Sequence, residues 1–129
     1  YANVYFATDE AVESNLETLA KFIGAIAKGW GWTHANPEEA VQRTVSAHPE
    51  LSLEWELKTI DLILRMSFDD NTAKDGWGTF DTTSLEEQLS IFDEIGQYPS
   101  GRPALEDVHT LKVLEMTADQ RPKLDAPKA

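Results

Sequence analysis

The chain has 129 residues, with 23 acidic against 11 basic side chains and a formal net charge of -12 at pH 7. That length supplies one hydrophobic core and not two lobes with a cleft between them, while the charge argues against nucleic acid or an anionic membrane as the main partner. With no cysteine in the sequence, disulfides, thiolate catalysis and Cys-ligated zinc are excluded, and no run of about 18 apolar residues reads as a membrane span.

Asn3 to Thr8, NVYFAT, reads as a strand: Val4, Tyr5, Phe6 and Ala7 form a short apolar run rich in β-favouring residues, suited to burial on both faces. A single strand leaves a row of unpaired amides, so its partners are expected from sequence outside the chain or from a second copy. Tyr1-Ala2-Asn3 is neither an initiator methionine nor a charged signal region, which adds to the expectation that the chain is a piece of a longer protein.

Asp9 and Glu10 turn the chain, and Glu13 or Ser14 opens the first helix with negative charge at its positive end. Its stripe is Leu16, Leu19, Ala20, Ile23, Ile26, Ala27 and Trp30, recurring at steps of three and four. Gly29 and Gly31 end that run, and Asn36 starts a second helix as N-cap, with Pro37 at its first position and Glu39 placed to reach back to the cap. This helix places Ala40, Val41, Thr44 and Val45 inward and stops at His48-Pro49. Ser52 caps a third helix running to about Ser67, with Leu53, Leu57, Ile60 and Ile63 or Leu64 as its stripe, widened by Trp55, Leu62 and Met66. It reads as central, and Ile60→Asp should unfold the unit.

Phe68 to Phe80 is the longest irregular stretch. A fourth helix begins at Thr82, Thr83 or Ser84, with Glu86 or Glu87 completing a capping box, carries Leu85, Leu89, Phe92 and Ile95, and stops at Gly96. Residues 97–104 are loop, Asp107 to Met116 form a last short helix, and 117–129 are a polar, frayed tail.

Local chemistry is sparse. His34, His48 and His109 lie far apart and in no zinc-ligating spacing, so each reads as structural or solvent-exposed. In the acidic loop, the register that puts Gly76 at position six leaves Ala73 third and Thr82 where a calcium loop needs glutamate. No Gly-x-Ser-x-Gly elbow and no phosphate-cradling glycine run is present. Trp30, Trp32, Trp55 and Trp77 could stack an aromatic ligand, but tryptophans at helical spacing favour the core. Neither a cofactor nor a metal is expected.

Val4 to Glu10, Lys28-Gly29-Trp30 and Asn36-Pro37-Glu38-Glu39-Ala40, in that order, with Gly76 to Asp81 and Ile95-Gly96 beyond them, resemble the C-terminal part of substrate-binding proteins of ABC importers in the nitrate, sulfonate, taurine and thiamine-precursor group. The resemblance covers Asn3 to about Leu111. It implies a mainly α fragment, four to five helices plus one N-terminal strand, of a bilobed α/β periplasmic-binding-protein-like fold. Residues 1–116 would be the C-terminal portion of the first lobe and 117–129 the tail.

The implied function is to bind a small solute and deliver it to ABC permease subunits, without covalent chemistry, in the periplasm or at an extracytoplasmic membrane anchor. Such clefts lie where strands end and hinges cross, so Tyr5, Phe6, Thr8 and Asp9 are the residues placed nearest the ligand. Self-association through the strand is expected. Two other classes are weighed beside this one. A helical-repeat-like interaction module suits Ser14 to Ala47 but lacks further copies, and a thiamine-pyrimidine synthesis enzyme would need catalytic histidine and lysine positions that do not stand out.

Overall fold

The computed structural model describes residues 4–127. Among them are eight helices: α1 (Asp9–Ser14), α2 (Leu16–Ala35), α3 (Pro37–Ala47), α4 (Leu53–Ser67), α5 (Asp70–Asp75), α6 (Thr82–Glu94), α7 (Leu105–Val108) and α8 (Lys112–Met116). The long α2 is the axis of the fold. It carries α1, α3 and α8 against its sides, while α3 packs on α4 and α6 on α7.

The mainly helical character stands, but the expected strand does not form. Asn3 lies outside the described residues, and residues 4–8 hold no regular structure. Val4, Tyr5 and Phe6 are exposed, Phe6 at 95%. The physical reason is pairing: a strand exists only beside another, and no described residue belongs to one. The bilobed α/β assignment and the self-association through a strand lose their structural basis with it. Thr8 instead caps α1, its hydroxyl accepting from the Ala11 amide at 3.2 Å.

The predicted stripe of α2 is correct, since every residue in it is buried or half-buried. Its end is not. Gly29 and Gly31 do not stop the helix, which continues to Ala35, because a glycine in a helix interior costs only about 1 kcal/mol and the packed stripe outweighs it. Asn36 is the N-cap of α3 as expected and also the C-cap of α2, but its side chain makes no cap bond to α3: its amide donates back to the Trp32 carbonyl at 2.9 Å. Glu39 turns to Arg43 rather than back to the cap. The bounds of α3 and α4 fall where expected, with Ser52 Oγ accepting from the Trp55 amide at 3.4 Å.

The core is small. Ala27, Leu64, Phe68 and Trp77 form its centre, with Ile26, Trp30, Ile60 and Leu124 packed around them. Trp30 stacks on Trp77 at 5.8 Å between ring centroids. The supposed irregular stretch supplies two of these residues, Phe68 and Trp77, and folds between them into α5. Asp69 and Thr72 cap that helix reciprocally, each side chain bonded to the other's backbone.

Residues 117–125 are not frayed. Thr117 and Arg121 are buried, the Trp77 amide donates to the Pro122 carbonyl at 2.9 Å, and Thr72 Oγ1 donates to the Leu124 carbonyl at 2.9 Å. Close approach explains where it lies. A Cβ on Gly24 would meet Gln120 Oε1 at 2.5 Å, and one on Gly31 would meet the Pro122 ring at 3.1 Å. Ala20, Gly24, Ala27 and Gly31 thus form a track of small residues along α2 on which this segment rests.

Candidate functional site

Three features could contact a ligand. The first is the segment the sequence nominates. Tyr5 meets Phe22 of α2 edge-on at 6.1 Å, Phe6 projects into solvent, Thr8 is engaged as a helix cap, and Asp9 sits in the first turn of α1. These four residues stay together by sequence proximity, with Phe22 as their added neighbour. They do not converge on either depression of the surface described next.

The second is a groove of about 500 Å³ between α2, α3 and α4, lined mainly by Ile26, Trp30, Trp32, Val41, Ile60 and Ile63, with Thr33, Thr44 and Glu56 as its polar groups. The Thr44 hydroxyl is already spent on the Ala40 carbonyl at 2.9 Å. The Arg43 guanidinium lies 4.8 Å over the Trp32 ring, holding that indole at the rim. Such a surface binds by apolar contact and shape, with Glu56 as its charged group.

The third is a depression of about 660 Å³ between Asp75, Phe80, Leu114, Asp119, Arg121 and Lys123. Arg121 anchors it, donating from one terminal nitrogen to the Gly76 and Trp77 carbonyls, both at 3.0 Å. Burial pulls the guanidinium pKa down, opposed by the Asp75 charge. Its two carbonyl contacts tie the C-terminal segment to the start of the Gly76 turn, so its role is structural.

The histidines are dispersed. His34 Nε2 is 2.8 Å from the Asp125 carbonyl, with its ring against Phe68. His48 faces Glu50 at 3.4 Å, and His109 lies against Phe80. Among the described residues no group of three or more His, Cys, Asp or Glu could hold a metal ion, and no helix is long and apolar enough to cross a membrane. Sequence reasoning placed none of the groove's geometry, although Ile26, Trp30 and Ile60 were all in its stripes.

Residues 1–40 match the family model described as NMT1/THI5 like. No curated protein and no solved structure matches the chain. The matched stretch runs through α1 and α2 into the start of α3, so it includes the nominated segment and one wall of the groove, and it supports a substrate-binding theme for this part of the molecule.

Proposed function

We propose that the chain is part of the solute-binding component of an ABC-type importer, taking a small molecule of the nitrate, sulfonate, taurine or thiamine-precursor kind outside the cytoplasm and passing it to permease subunits without covalent chemistry. The match of residues 1–40 to the NMT1/THI5-like model carries this reading. Tyr5, Phe6, Thr8 and Asp9 are the residues we assign to solute contact, Tyr5 and Phe6 as aromatic walls and Thr8 and Asp9 as the polar groups at the α1 N-terminus.

Thermal unfolding in the presence of nitrate, taurine, an alkanesulfonate and a thiamine pyrimidine precursor tests it. A solute at one hundred times its Kd adds about 2.7 kcal/mol of stability, and the gain should disappear in Tyr5→Ala. A flat response to the whole panel counts against the reading. A second reading, a helical interaction module, is favoured by the all-helical architecture of the described residues and by the groove between α2, α3 and α4. It predicts stabilisation by an amphipathic peptide where every solute fails.

A further inference from the structure

The groove between α2, α3 and α4 contains an unpaired carboxylate. Glu56, in the first turn of α4, is half-buried and is the charged residue among those lining the groove. Its neighbours four residues away are Ser52 and Ile60, so the helix supplies it no cation. The basic side chains of α3 and α4 are engaged elsewhere, Arg43 with Glu39 at 2.6 Å, Lys58 with Glu54 at 2.6 Å and Arg65 with Asp61 at 2.8 Å. The Glu56 carboxylate is thus left without a partner among the described residues.

That carboxylate sets the sign of a ligand. The walls around it are apolar and aromatic, chiefly Ile26, Trp30, Val41, Ile60 and Ile63, and Gly29 leaves open space beside them. A neutral molecule seated there strips water from Glu56 and returns nothing. An anion adds Coulomb repulsion, which the net charge of -12 reinforces. A cation on an apolar body restores to the carboxylate what it loses, as a charge-assisted contact beside water-excluding walls, and indole faces attract it further. Trp32 already holds the Arg43 guanidinium in this way, 4.8 Å from its ring centre. At about 500 Å³ the groove has the size of a small-molecule site.

We propose that this groove binds a small organic cation, an amine or quaternary ammonium group on an apolar or aromatic body, with Glu56 as its counter-charge. Apolar contact with the three helices supplies most of the affinity, and the ion pair orients the ligand. The inference goes beyond the solute contacts assigned to Tyr5, Phe6, Thr8 and Asp9 and does not depend on them.

NMR titration of the whole chain with benzyltrimethylammonium tests it, beside the neutral isostere neopentylbenzene and the anion phenylmethanesulfonate. The expected result is a saturable shift of the Trp30 and Trp32 indole N–H signals by the cation, at lower concentration than by the neutral isostere and with no such shift by the anion. Glu56→Gln should raise the Kd of the cation about two- to fivefold, while neopentylbenzene binds as well or better. Glu54→Gln removes an equal charge from the same helix turn, one already paired with Lys58, and should leave the Kd of the cation unchanged. No saturable shift at the two indoles, tighter binding of either comparison probe, indifference to Glu56→Gln, or an equal loss in Glu54→Gln would each overturn the proposal.

Discussion

Replacing Phe68 by alanine measures how far the small core governs stability. Phe68 is wholly buried, packed with Ala27, Leu64 and Trp77 and touched edge-on by His34 at 4.7 Å. Truncating such a ring removes its transfer free energy and leaves a cavity, a loss of about 3–5 kcal/mol. A chain of 129 residues has a total stability of about 6–19 kcal/mol, and a core with so few fully buried apolar side chains sits toward the lower end. The variant should therefore lose a third or more of its stability, read as a fall in the urea midpoint with an unchanged slope. Phe6→Ala is the internal control, since at 95% exposure it should stay within about 0.5 kcal/mol of the wild type. A Phe68→Ala loss below about 1 kcal/mol would refute the closed core, because only a site open to water or free to collapse gives so little.

Four further outcomes are expected. Thr72→Val removes the hydroxyl that accepts from the Asp69 amide at 2.7 Å and donates to the Leu124 carbonyl; it should cost about 1–3 kcal/mol and speed hydrogen exchange at the Trp77 amide, whose acceptor is Pro122. Gly29→Ala, with open space around its Cβ position, should stabilise by about 0.5–1 kcal/mol, whereas Gly31→Val, pressed on Pro122, should destabilise by about 1–3 kcal/mol; chemical denaturation separates the two. Asp81 accepts from Ser84 Oγ and the Thr83 amide, which hold its carboxyl below the ordinary range. A depressed folded-state pKa stabilises above the unfolded value and fades as pH falls through the folded one, so the ellipticity difference between wild type and Asp81→Asn should change only below about pH 4.

Helix faces were the legible part of the sequence. Leu16 through Trp30 recur at helical spacing, and periodicity reports burial directly. The bounds of α3 and α4 were equally clear, because Pro37, Pro49 and Ser52 act through local sterics and capping. Val4 to Ala7 misled because a short apolar run states a demand for cover without naming what supplies it. Gly29 and Gly31 misled because tertiary packing decides whether a glycine ends a helix. Composition hid the C-terminal segment: Thr117, Arg121 and Pro122 look like tail residues, and only the small-residue track on α2 reveals that something must lie there. An early sign was available in the spacing of Ala20, Gly24, Ala27 and Gly31, each three or four residues from the last. The same limit applies to the candidate site, since the groove is a product of how α2, α3 and α4 cross and no single segment encodes it.

The return of residues 117–125 onto α2 orders events during synthesis. His34 waits for Asp125, Thr72 for Leu124 and Gly76 for Arg121, so helices finished earlier on the ribosome have no lid over Trp77 until residues 117–125 emerge. Contacts across such separations form after local helix turns, because their loop-closure entropy must be met before they stabilise anything. A nascent chain stalled before Pro122 should accordingly present an open hydrophobic seam to chaperones, and release of a few more residues should seal it.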